Sequence, residues 1–334
     1  MTSEVVRLAH GGGGRLQEKL LAELILPALG QQASAAPDAA VRAAPPGRLA
    51  ITTDSFVVRP LVFPGGDIGR LAVHGTVNDL AMAGARPLWL TLGMILEEGL
   101  ALADLRRVLE SVRAAAAECG VEVIAGDTKV VEAGRGDGVY LNTSGVGVVP
   151  EGVSIAPDAI RPSDVLLASG DLGRHGVAIL AAREQLGLEP PISSDSASVA
   201  DAVAALLEAG VVPRALRDPT RGGVAAALQE LAAASGCRLV LDDAAIPVRD
   251  DVRGACEILG LDPLHSACEG RFVAAVPEEM GADALAVLQA RPETAGAAII
   301  GRAEAGEPAL LLRLATGVER PVVLPAGEQL PRIC

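Results

Sequence analysis

Aromatic side chains are scarce: among 334 residues there are one Trp, one Tyr and three Phe. So few rings cannot build the stacking platforms that hold single-stranded nucleic acid, and Ala, Val and Leu must build the core of a chain that is 50% hydrophobic. The five cysteines, at 119, 237, 256, 268 and 334, include no CxxC spacing, which argues against a disulfide framework and a cysteine zinc knot. The four histidines, at 10, 74, 175 and 265, include no HExxH. No basic segment followed by a long apolar one lies near residue 1, and later apolar stretches are interrupted by charges such as Glu23 and Glu208. A cytoplasmic protein without a signal or a spanning helix is therefore expected. With 42 acidic against 28 basic residues the formal charge is -14, which repels phosphate backbones and anionic lipid surfaces and leaves neither nucleic acid nor membrane as a partner.

The length suits two domains, each with its own core. A glycine run at 10–14 feeds an apolar-periodic stretch at 16–29, and residues 31–48 read as a surface connection. Strands at 49–58, 88–95, 121–125 and 139–149 alternate with helices at 67–84 and 103–119, an α/β or α+β pattern ending near Pro150. A second series has strands at 164–169, 238–241, 272–276 and 298–301. Its helices fall at 175–186, 196–209, 218–235 and 278–290. From 319 the chain contains Pro and Gly and reads as a mobile tail ending in Cys334. The expected division is 1–150, 151–318 and 319–334.

Five constellations can carry chemistry. His10 followed by Gly11, Gly12, Gly13 and Gly14 precedes a helix, where bare backbone N–H groups can wrap phosphate oxygens; by itself such a run is also an ordinary linker. Asp54 in a strand, Asn78 and Asp79 in a helix, and Asp127, Thr128 and Lys129 in a turn just past a strand supply hard oxygens and one amine, suited to Mg²⁺ on a polyphosphate. Each taken singly reads as a solvated polar residue. Asp218, Pro219, Thr220, Arg221, Gly222 and Gly223 form a helix start with Asp218 as N-cap, and equally an anion or metal site. Glu269, in a CEGR segment, has the chemistry of a general base, and equally reads as the commoner solvated loop carboxylate. Cys334 is not a prenylation site, which requires the cysteine four positions from the end, and a free thiol on an exposed tail is a liability that soluble surfaces generally lack.

HGGGG (10–14), TDSFVV (53–58), FPGGDIGRLAVHGTVNDLAMAGA (63–85), EEG (97–99), AGDTKVV (125–131), NTSGVG (142–147), RDPTRGG (217–223), CEGR (268–271) and PRIC (331–334) together resemble the HypE-type carbamoyl dehydratases of hydrogenase maturation. These belong to the ATP-binding AIR-synthase-like (PurM-like) superfamily. The resemblance implies an α/β (α+β) two-domain PurM-like fold with a flexible C-terminal tail, ATP at the domain junction and a homodimer built on the N-terminal sheet. It also implies that Asp54, Asp79, Asp127 and Asp218 hold Mg²⁺, that Gly11 to Gly14 cover the phosphates, and that His10, Asn78, Thr128, Thr220 and Gly222 help bind the nucleotide. Cys334 would carry a carbamoyl group from the carbamoyltransferase HypF and lose water to become a thiocyanate. Lys129 and Glu269 would serve that dehydration, and which of them is the base stays open. The cyanide would pass to an iron-bearing HypC–HypD complex.

Two residues depart from the family pattern: Cys268 stands where asparagine is expected, and Arg174 where an acidic residue is usual. The rival readings are aminoimidazole ribotide synthesis, selenophosphate synthesis, thiamine phosphate kinase action, and a non-catalytic docking or metallochaperone scaffold whose tail thiol binds iron.

Overall fold

The computed structural model describes residues 5–32, 39–43, 45–325 and 333–334. Helix α1 (Arg15–Leu20) runs through a π turn, Leu21–Ile25, into α2 (Leu26–Ala28), so the periodic stretch at 16–29 is one helical run with a wide turn ahead of Pro27, a residue with no N–H to give. Then follow β1 (Arg48–Phe56), the short β2 (Val62–Phe63) and β3 (Gly66–Asp67), α3 (Ile68–Met82), β4 (Arg86–Glu97), α4 (Leu102–Glu118), β5 (Glu122–Val131) and β6 (Val139–Val149). The larger strands form a four-stranded sheet in the order β1-β6-β4-β5. Strand β6 alternates buried and half-buried positions along nearly its whole length, the period of two that made its bounds readable.

Helix α3 starts at Asp67, whose Oδ1 accepts the Arg70 N–H at 3.0 Å, and turns out of the helix at Gly84 with φ +69°. It lies between the sheet and the second domain, which is why nearly all of it is buried. At Gly75 a Cβ would press on the Phe56 ring at 2.8 Å, so glycine is what lets the helix approach β1. The opposite sheet face has Leu49, Ile51 and Ile95 exposed.

The second half contains β7 (Val165–Ala168), α5 (Arg174–Arg183), α6 (Ala200–Glu208), β8 (Ala215–Arg217), α7 (Gly223–Ser235), β9 (Arg238–Asp242), α8 (Asp250–Leu259), β10 (Val273–Val276), α9 (Gly281–Gln289), β11 (Ala298–Glu304), β12 (Ala309–Arg313) and β13 (Glu319–Pro321). Its seven strands run β13-β12-β9-β11-β7-β10-β8, with an apolar cluster on each side of the sheet.

Three local expectations change. Residues 127–129 lie inside β5, not in a turn after it. Asp218 does not cap a helix: α7 begins at Gly223 behind Gly222, whose φ of +80° only glycine adopts readily, leaving Asp218 to Arg221 as a separate loop. The stretch from 319 begins as a sheet strand and Val322 is buried. Residues 326–332 lie outside the described residues, and Ile333 and Cys334 reappear between the domains.

Candidate active site between the domains

Asp54 leaves β1 on the face covered by α3, since it registers with Thr143 and, through it, Leu92, both buried. Asp79 on α3 accepts a hydrogen bond from the Thr52 hydroxyl at 2.8 Å. From the second domain come Asp218 and Glu269, brought side by side because the Cys268 N–H donates to the Pro219 carbonyl at 2.9 Å. Burial pushes Asp218 up to about 7, reinforced by the Asp79 charge, and burial likewise raises Asp54 and Asp79. Glu269 is 3% exposed and its carboxyl is held well above the usual range by burial and then by Asp218, Asp195, Asp54 and Asp79. Its Oε1 has no hydrogen-bond partner. Among the described residues no three acidic, His or Cys groups close on one point as a ready-made metal cage.

A Ser- and Asp-rich segment around 193–198, whose end was expected in a helix that actually begins only at Ala200, stitches this cleft together. The Glu269 N–H donates to Asp195 Oδ1 at 3.1 Å, and Asp195 Oδ2 is buried without a partner. Asn78 donates to the carbonyls of Ala197 and Glu269 and accepts the Val199 N–H. Those contacts use both its amide hydrogens and fasten the first domain to the second. The His74 ring meets the Ser196 hydroxyl at 3.1 Å. At Gly270 a Cβ would collide with the Asp195 carbonyl. A polar run usually signals a solvated loop; only long-range burial reveals this one.

Cys334 lies in the same cleft. Burial and the neighbouring Glu269 push its thiol up to about 12, and a hydrogen bond with Arg221 opposes them. Its main-chain oxygen accepts the Val57 N–H at 3.1 Å. Ile333 is buried with the core that contains Val58, Phe63 and Ile179.

The remaining expected residues gather elsewhere. Gly11 sits against Val130 of β5. His10 Nδ1 accepts the Arg7 N–H at 3.0 Å, tying the ring into a local turn, and the Gly13 N–H donates to Gln17. Asp127 registers with Gly93, Asn142 and Ser55, so it and Lys129 occupy the face opposite Asp54. They pair at 2.8 Å, both largely exposed. Thr128 points the other way and is buried. Within one chain, therefore, Asp127 does not join Asp54, Asp79 and Asp218, nor does Lys129 meet Glu269. Thr220 stays beside the cleft, its carbonyl accepting the Gly223 N–H at 2.9 Å, and Gly222 closes that loop. Between the helical run and β5 lies a cavity of about 1110 Å³ lined by Leu21, Ile25, Met94, Gly126, Asp127 and Thr128, among others.

Cys268 meets the residue before Arg174: the Gly173 N–H donates to Cys268 Sγ at 3.1 Å. Cys268 is wholly buried, and burial raises its thiol far above the ordinary value, the setting of a packing thiol. Arg174 pairs with Asp171 at 2.9 Å.

Residues 36–149 match the AIR synthase related protein, N-terminal domain, and residues 161–311 match its C-terminal domain. The chain is 52% identical to the carbamoyl dehydratase HypE of Azotobacter vinelandii, over 98% of this chain and 97% of that protein. It superposes on the crystal structure of the hydrogenase maturation protein HypE in complex with ATP with a TM-score of 0.92, 43% identity and coverage of 98% and 99% of the two chains. A chain from a HypE–HypF complex matches with a TM-score of 0.81 and 43% identity, covering 83% of this chain and 90% of that one. With two matched domains spanning most of its length and such relatives end to end, the chain belongs to the HypE family of AIR synthase related proteins.

Proposed function

We propose that this chain is an ATP-dependent carbamoyl dehydratase of hydrogenase maturation acting on its own Cys334. The thioester S–C(O)NH₂ becomes S–C≡N: the carbonyl oxygen leaves on phosphate, both amide hydrogens leave as protons, and ATP becomes ADP. The observation that supports this best is the Cys334 thiol lying in the cleft beside Glu269 and Arg221.

Asp54, Asp79 and Asp218 suit Mg²⁺, because they crowd negative charge and offer the hard oxygens that this ion shares with phosphates. The ion would supply charge neutralisation on the phosphate oxygens. Arg221 orients the sulfur, and Glu269 accepts an amide proton once the surrounding negative charge is compensated. Asp195 and Asn78 hold the Glu269 main chain in place.

Asp127 and Lys129 enter from a second copy. The edge strands β1 and β5 carry the two groups of site residues, and the sheet face between them exposes Leu49, Ile51 and Ile95. A two-fold contact through that face sets β5 of one copy beside β1 of the other. The carbamoyl donor is the carbamoyltransferase HypF, and the cyanide acceptor the HypC–HypD iron complex.

Intact-protein mass spectrometry tests the reading. With donor and ATP the wild-type mass rises by one carbamoyl group and then falls by one water, whereas Cys334→Ala shows neither step. A wild type that loses no water with ATP, or a Cys334→Ala that still gains the group, overturns it.

A further inference from the structure

His175 is fully buried at the first turn of α5, next to the Arg174 departure, and has no role in the chemistry above. Its Nε2 lies 2.6 Å from the Ile333 carbonyl oxygen and its Nδ1 lies 2.7 Å from Ser194 Oγ. A carbonyl can only accept, so Nε2 carries the hydrogen. Burial holds the imidazole below its usual value against the opposing Asp195 charge, so the ring is neutral and Nδ1 accepts from the Ser194 hydroxyl. That hydroxyl oxygen also accepts the Ser196 N–H at 3.0 Å, and the Ser194 N–H donates to the Pro64 carbonyl at 2.8 Å. The Phe63 ring meets the imidazole edge-on at 5.6 Å. Ser194 and Phe63 thus fix the ring's orientation, and the Ile333 carbonyl selects its tautomer.

We infer that His175 is a positioning residue for the acceptor tail: it grips the Ile333 carbonyl while the Val57 N–H grips the Cys334 main-chain oxygen, and these two backbone contacts aim the intervening thiol at Glu269. The inference deepens the dehydratase reading and rests on it for its purpose. Main-chain groups are gripped and the thiol is left alone, so the bare, carbamoylated and dehydrated forms of Cys334 present the same handle. Ile333 adds a buried apolar anchor, 3% exposed.

The test measures alkylation of Cys334 by iodoacetamide in the full-length protein without ATP, scored by peptide mass spectrometry against the buried Cys237, Cys256 and Cys268. His175→Ala should speed labelling of Cys334 by about fivefold, the equilibrium worth of one neutral hydrogen bond. His175→Gln, whose amide N–H can replace Nε2–H, should return to within about twofold of wild type. An unchanged rate in His175→Ala overturns the assignment, as does a Gln variant no better than Ala. If His175→Ala also exposes the three buried cysteines, the chain has opened generally and Ser194→Ala decides instead: faster labelling confined to Cys334 supports the grip, and no change overturns it. The readout needs no carbamoyl group. A wild type that never loses water sinks the dehydratase reading alone, and protection indifferent to His175 sinks the grip alone.

Discussion

Asn78 of the first domain donates its amide hydrogens to the Ala197 carbonyl at 3.0 Å and the Glu269 carbonyl at 3.3 Å, and accepts the Val199 N–H at 2.8 Å. The main chain that carries the general-base candidate is thus fastened to a helix of the opposite domain. Asn78→Ala should cost about 2–3 kcal/mol of stability, because it orphans buried backbone groups. It should also slow water loss by about a hundredfold, the scale of misplacing a catalytic group by an ångström. Calorimetric melting and the mass-spectrometric time course read the two effects; normal turnover in a folded variant contradicts the clamp.

Glu269→Gln preserves shape and hydrogen bonding but cannot take a proton. Loading of Cys334 with the carbamoyl group should proceed, while its dehydration falls by about 10²–10⁴-fold. Wild-type thiocyanate yield in a single-turnover mass measurement would reassign the base.

The raised Asp218 carboxyl makes the apo protein pH-dependent. The folded state holds that proton up to about 7, whereas the unfolded chain releases it near the ordinary aspartate value of about 4. Between those values the folded form binds more protons, so stability is greatest at the acid end of the window and declines as pH rises toward 7. Asp218→Asn should flatten that decline, and added Mg²⁺ should offset it in the wild type only. Melting temperatures across the window check both; equal slopes in wild type and variant refute the assignment.

The second-copy role of Lys129 is open to complementation. Lys129→Ala and Glu269→Ala should each be inactive alone, whereas co-expressed chains should recover about a quarter of wild-type activity, because half the random dimers are mixed and each has one complete site. No recovery from isolated mixed dimers would place both residues in one chain. Ile51, 72% exposed on the uncovered face, supplies the companion change: Ile51→Glu should yield monomers by light scattering and abolish turnover.

Much of the frame was readable from pattern. Alternating residues in 139–149 and the apolar faces of α3 and α4 specify their elements locally. Asp127 and Lys129 were misplaced because strand-end polarity looks like a turn until the pairing with β4 is known. Asp218 mimics an N-cap, since Asp followed by Pro is a helix-start signature, yet the positive φ at Gly222 postpones the helix to Gly223. The resemblance led to the expectation of Glu269 and Cys334, and the structure sets the two in one cleft. The contacts of Asp195, Ser194 and His175 were not expected, because they arise from burial between two domains, which no local periodicity encodes.

Strand β13, sealed by the buried Val322, limits how far the Cys334 thiol can lie from the second sheet. Val322 and Cys334 are only twelve positions apart, a contour of at most about 40 Å. Whatever path the chain takes between them, the thiol stays within that radius of the second sheet. For the proposed chemistry, that radius sets how far from the second sheet a partner can stand and still exchange a group with Cys334.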